Sequence, residues 1–185
     1  MVGGELLYQV GLTLLEGVGD VVAKNLLAYC GNAEEIFKAN KAHLLKIPGV
    51  GEGLAKAIIS QQHVLKAAEK EVRFIEENNI ETLFFTNEKY PQRLKYCSDS
   101  PVLLYYKGNA DLNAEKIVAI VGTRQPTDYG REQTEKLVNE LHGSGVLVVS
   151  GLAYGIDVLA HKKALENDLD TVGVVAHGLD RMYPQ

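Results

Sequence analysis

Two stretches decide the fold: Val118-Ala119-Ile120-Val121-Gly122-Thr123-Arg124-Gln125-Pro126-Thr127-Asp128-Tyr129-Gly130 and Val146-Leu147-Val148-Val149-Ser150-Gly151-Leu152-Ala153-Tyr154-Gly155-Ile156-Asp157. Each begins as a short apolar run rich in β-branched residues. Each then passes through glycine into a segment with helical spacing. A strand that feeds a helix through glycine exposes bare backbone N–H groups at the crevice beyond the strand ends. Two such turns from neighbouring parallel strands form one anion-binding edge, and Arg124 stands in the middle of it. Phosphate is the expected anion.

Working outward, residues from Ile117 onward alternate β-α-β-α-β: Ile117–Val121, Arg131–His142, Val146–Ser150, Ile156–Glu166 and Thr171–Ala176. Near-continuous apolar strands separated by helices predict a parallel sheet buried on both faces. Upstream, Thr82–Phe85 and Val102–Tyr106 read as short strands and are candidates to extend that sheet. The amino-terminal part holds an internal repeat. Leu14-Leu15-Glu16-Gly17-Val18-Gly19 and the helix after it match Ile47-Pro48-Gly49-Val50-Gly51 and its helix, 32 residues on. Each copy is a helix end, a Gly-x-Gly hairpin and an amphipathic helix, which is the helix-hairpin-helix pattern. One copy cannot bury its apolar face alone, so the two are expected to pack together. A charged helix from about Ser60 to Asn78 follows, stopped by Asn78-Asn79.

The fold class expected is α/β. A helix-hairpin-helix (SAM-like) domain over 1–78 precedes a Rossmann-like parallel-sheet domain over 79–185. Only three strands of the second domain are present, half of the doubly wound pattern. The sequence therefore reads as a fragment of a longer protein, incomplete at its C-terminus.

Composition narrows the class. Of 185 residues, 46% are apolar and 23% charged, ordinary for a globular protein. No apolar run is long enough to cross a bilayer. Cys30 and Cys97 fit no metal or redox spacing and read as reduced thiols of a cytoplasmic protein. A net charge of −5 argues against a broad basic coat for nucleic acid but leaves room for a local basic pocket.

At this point the chain resembles the DNA-processing protein A family, also called DprA or Smf. The residues that carry the resemblance are Gly122-Thr123-Arg124, Thr127, Tyr129-Gly130, Ser150-Gly151-Leu152-Ala153, Gly155-Ile156-Asp157 and Ala160-His161. Gly178-Leu179-Asp180, Tyr183-Pro184, Tyr90-Pro91 and Leu94 continue it. The resemblance implies a cytoplasmic protein that binds single-stranded DNA and helps to load a RecA-type recombinase during natural transformation. It implies an extended Rossmann-like domain without established enzymatic activity, and a homodimer in the full-length protein. It also implies that Arg124 contacts DNA. No cofactor is expected.

The candidate DNA- or phosphate-binding residues are Gly122, Thr123, Arg124, Ser150, Gly151, Gly155 and Gly178. Arginine is suited to phosphate because its planar fork donates two parallel hydrogen bonds; the competing role for Arg124 is a surface ion pair with Asp128. Ser150 would add a hydroxyl donor. Tyr154 and Tyr183, on loops at the expected crevice, are candidates for base stacking. Asp157 and His161 share one helix face, four residues apart. With His177 and Asp180 they make a metal set on paper, but the spacing suits helix capping and packing better, and no metal site is expected. No catalytic constellation is visible: Gly-x-Ser-x-Gly is absent and Ser150 has no base beside it. The Gly-x-Gly hairpins are followed by Asp20 and Glu52 where a DNA-binding version wants Lys or Arg. That favours a packing and protein-contact role for the helical domain, with weak duplex binding as the lesser reading. Two other functions remain open. One is a nucleotide-binding or nucleotide-hydrolysing enzyme of a related Rossmann-like fold; the other is a protein-interaction module.

Overall fold

The computed structural model describes residues 4–60 and 62–181. The chain divides into two compact units, Met1–Lys107 and Gly108–Gln185.

The first unit contains α1 (Glu5–Leu14), α2 (Asp20–Cys30), α3 (Ala33–Lys38), α4 (Lys41–Leu44), α5 (Glu52–Ile59) and α6 (Gln62–Glu77). The strands β1 (Glu81–Phe84) and β2 (Leu103–Tyr106) follow, with a 3-10 turn at Gln92–Tyr96 between them. The 32-residue repeat survives in three dimensions. Gly17 and Gly49 both take left-handed backbone, with φ of +81° and +87°. Gly19 and Gly51 then cap α2 and α5 with near-identical extended angles. The apolar positions coincide as well: Leu15 with Ile47, Ala23 with Ala55 and Leu26 with Ile58 are all buried. Asn32 and Asn40 start α3 and α4 by accepting the amides of Glu35 and His43, each at 2.9 Å. Along α6, Val64, Ala68, Val72 and Ile75 are buried at helical spacing, and the helix packs along α1. Asn79, at φ +51°, ends it.

β1 and β2 do not join the parallel sheet. They pair antiparallel with each other, Glu81 opposite Tyr106 and Phe84 opposite Leu103. Phe84, Val102 and Leu103 belong to the same buried cluster as the helices. Each fully buried side chain of this size contributes about 1.5–3 kcal/mol. That is why the compact division falls at Lys107/Gly108, whereas the helices themselves end near residue 78.

The second unit is β3 (Ile117–Ala119), α7 (Asp128–Glu140), β4 (Leu147–Ser150), α8 (Ile156–Glu166) and β5 (Thr171–Gly173). The sheet order is β3-β4-β5 and both pairings are parallel, with Val118 beside Val148 and Val149 beside Val172. Val138 of α7, Ala160 and Ala164 of α8, and Ile120 and Val148 form one buried cluster. The small Ala160 and Ala164, one turn apart, let α8 approach β4 and β5 closely. Burial on both faces holds for β4, where Leu147 and Val148 are both buried. It fails at the ends of the outer strands: Val121 and Val174, just past β3 and β5, are 81% and 62% exposed. In the order β3-β4-β5 both of those strands are edges.

Candidate phosphate-binding edge

Two turns leave the carboxyl ends of β3 and β4, and they interlock. Ile156 N–H donates to the Thr123 carbonyl at 3.2 Å. A Cβ placed on Gly122 would lie 2.6 Å from Ile156 Cγ1, and one on Gly155 would overlap the Thr123 carbonyl oxygen and lie 2.7 Å from Arg124 Cα. Only glycine fits either place, and at Gly155 the backbone adds a φ of +90°. Lower down, the Ser150 hydroxyl donates to the Ile120 carbonyl at 2.5 Å, joining the ends of the two strands.

The consequence is a row of unused donors. Among the described residues, the main-chain N–H groups of Gly122, Thr123, Arg124, Gly151, Leu152 and Gly155 donate to no protein acceptor. Arg124 is exposed, and its guanidinium makes no hydrogen bond or ion pair with any described residue. The ion pair with Asp128 is therefore not formed. Thr127 caps α7 by accepting the Gly130 amide at 3.2 Å, and Thr123 Oγ1 accepts the Gln125 amide at the same distance. Free N–H groups beside an unpaired guanidinium, at the opening of two helices, suit an anion with several acceptor oxygens.

Of the residues singled out from the sequence, Gly122, Thr123, Arg124, Gly151 and Gly155 come together here. Ser150 is a correction. Its side chain is buried and its one proton is engaged by Ile120, so the hydroxyl is no donor to a ligand. Gly178 lies in the exposed loop after β5, where its carbonyl accepts from His177 Nδ1 at 2.9 Å and from the Arg181 amide at 3.3 Å. Tyr154 is half exposed beside the second turn. Tyr183 lies outside the described residues. Tyr129, in the first turn of α7, is 72% exposed and stands closer in sequence to Arg124 than either. Its position two residues after the Thr127 cap was the signal available for it.

No group of three or more His, Cys, Asp or Glu among the described residues is arranged to hold a metal. Asp157 and His161 do share a face of α8, but their partners are main chain and Thr171. His177 Nδ1 is taken up within its own loop.

The first helix-hairpin-helix copy is occupied by its own unit. Asp20 Oδ1 accepts the Val102 amide at 2.8 Å. Lys24 Nζ donates to the Ser98 carbonyl at 2.9 Å and to Ser100 Oγ at 2.8 Å, and it sits 5.0 Å from the Phe85 ring centre. In the second copy Glu52 pairs with Lys41 at 2.5 Å. A cavity of about 310 Å³ opens between the first hairpin and β2, bordered by Leu12, Asp20, Ala23, Val102 and Tyr105. It belongs to the first unit, and no residue of the two turns lines it. No helix among the described residues is long and apolar enough to cross a membrane.

Comparison with known proteins agrees with this fold. Residues 81–185 match the model of the DNA recombination-mediator protein A family, and residues 11–61 match the SAM-like helix-hairpin-helix tandem. Protein Smf of Synechocystis is 35% identical over 191 residues, covering 100% of this chain and 47% of the relative. The DNA processing protein DprA of Streptococcus pneumoniae is 45% identical over 96 residues, covering 52% of this chain and 34% of the relative. The X-ray structure of the Streptococcus pneumoniae protein superposes with a TM-score of 0.65 at 26% identity, over 97% of this chain and 60% of that one. This chain thus spans about half the length of the first of these relatives. The strand-to-helix turns lie inside the matched region, and the chain belongs to the DNA recombination-mediator protein A family.

Proposed function

We propose that this chain binds single-stranded DNA through its phosphates along the carboxyl edge of β3 and β4, as part of a cytoplasmic protein that helps a RecA-type recombinase onto the strand during DNA uptake. The observation that carries the reading is the interlocked pair of turns, which leaves main-chain N–H groups and the Arg124 guanidinium without acceptors among the described residues. Relatives named as DNA processing proteins support DNA as the partner. Phosphate-directed donors give little sequence preference, since the backbone is the same under every base. Tyr154 and Tyr129 flank the edge and offer stacking faces of similar indifference to sequence. The reading assigns no catalytic role to the edge. It places homodimer formation in the full-length protein.

The test is fluorescence anisotropy with labelled oligo-dT, with a mononucleotide as competitor. Arg124→Ala should weaken oligo-dT binding at least tenfold, since a charge-assisted hydrogen bond contributes about 1.5–3 kcal/mol and about 1.4 kcal/mol is tenfold. Arg124→Lys should restore part of it, keeping charge without the fork. The log–log salt slope should be about −0.7 per neutralised phosphate. A mononucleotide that displaces oligo-dT at equal phosphate concentration would favour the nucleotide-enzyme reading. A recombinase-loading assay on strands coated with single-strand-binding protein tests the second half of the proposal.

A further inference from the structure

Two ionisable side chains beneath the second turn are more than 90% buried. They are Asp157, 6% exposed, and His161, 9% exposed, one turn apart on α8. Such residues are seldom buried without partners that fix them. Resting on the phosphate-edge reading, we infer that Asp157 and His161 are positioning residues that grip Gly151 from two sides and so hold the N–H groups of the Gly151–Gly155 turn toward the bound strand.

The grip is explicit. His161 Nε2 lies 2.7 Å from the Gly151 carbonyl oxygen. A carbonyl only accepts, so Nε2 carries the proton in that bond. With Nε2 the donor, the neutral ring accepts at Nδ1 from the Thr171 hydroxyl, 2.7 Å away, whose oxygen lies 3.0 Å from the Val148 carbonyl. The ring therefore ties the turn to both β4 and β5. Asp157 works from the other side. Its Oδ2 occupies the space above Gly151, 2.5 Å from where a Cβ would stand, and accepts the Ala153 amide at 3.4 Å. With the Gly151 carbonyl drawn down onto α8 and the Ala153 amide turned inward, the Gly151, Leu152 and Gly155 amides have no acceptor among the described residues. Asp157 Oδ1 is buried and has no partner among the described residues. A carboxylate at this point also opposes an incoming phosphate, so its charge works against binding while its acceptor oxygen works for it.

The experiment compares His161→Leu, His161→Gln, Asp157→Ala, Asp157→Asn and Arg124→Ala by oligo-dT anisotropy across a salt series, with thermal unfolding of each. His161→Leu and Asp157→Ala should weaken binding fivefold or more while leaving the salt slope at the wild-type value, because they displace N–H donors without removing a cation. Arg124→Ala should lower the slope as well as the affinity. His161→Gln keeps a donor at the reach of Nε2 and should bind nearly as wild type. Asp157→Asn keeps the acceptor, loses the charge, and should bind as well as wild type or better. If Arg124→Ala weakens binding while folded His161→Leu and Asp157→Ala bind normally, the positioning role is overturned and the phosphate edge stands. If Arg124→Ala binds like wild type, the phosphate edge itself is wrong. Should His161→Leu fail to fold, His161→Gln decides: folded protein that binds as weakly as Arg124→Ala overturns the grip on Gly151, and normal binding supports it.

Discussion

Gly155→Ala tests whether the two turns are one structure. Gly155 sits at φ +90° and ψ −127°, a conformation costly for any residue with a Cβ, by about 1–3 kcal/mol. The added methyl would also overlap the Thr123 carbonyl and crowd Arg124. Relieving that overlap requires the turns to separate, at a cost of about 1–3 kcal/mol typical of overpacking. The total comes to about 2–6 kcal/mol, with loss of the Ile156–Thr123 hydrogen bond. Gly145 supplies the control within the same unit. It has φ +66° but nothing within 4 Å of its would-be Cβ, so Gly145→Ala carries the backbone term alone, about 1–2 kcal/mol. Urea unfolding followed by circular dichroism measures both, and oligo-dT anisotropy measures the edge. The expected result is that Gly155→Ala is less stable than Gly145→Ala by at least about 1 kcal/mol and binds at least tenfold more weakly. Equal stabilities, together with wild-type binding by Gly155→Ala, would refute the interlocking of the turns.

Lys24→Ala should lower the stability of the first unit by about 1–3 kcal/mol, because the ammonium bridges Ser98 and Ser100 and lies over Phe85, yet leave oligo-dT binding unchanged; urea titration and anisotropy check both. Tyr105 has its phenol pushed up to about 12, by burial first and by Glu71 second. The proton is thus held more tightly in the folded state than in an unfolded chain, where it leaves near pH 10. The stability Tyr105 contributes is complete below about pH 10 and is lost as pH rises toward 12. Unfolding of Tyr105→Phe measured over that window should fall less steeply than wild type, and parallel curves would reject the assignment.

Much of this was legible in the residues alone, because the relevant constraints are local. The hairpin glycines at 17 and 49 need left-handed backbone, so the repeat was visible as spacing before it was visible as matching burial. The runs at 117–121 and 146–150 are short, apolar and β-branched, and parallel pairing follows from the helices between them. Gly122, Arg124, Gly151 and Gly155 could be named because a strand-to-helix turn has few ways to expose N–H groups. What stayed hidden depends on which way a side chain turns and what it meets at long range. Ser150 looked like a ligand donor, but alternation along β4 turns it inward onto Ile120. The partners of Lys24 lie on the 98–100 segment, more than 70 residues on, and only the folded chain brings that segment to its ammonium. The strands at 81–84 and 103–106 had the right composition for the sheet, yet composition carries no pairing partner. Only packing on the helical core decided that they pair with each other. Asp157 and His161 could be placed on one helix face by their spacing. That this face closes on the Gly151 carbonyl required β4, β5 and α8 to be assembled together.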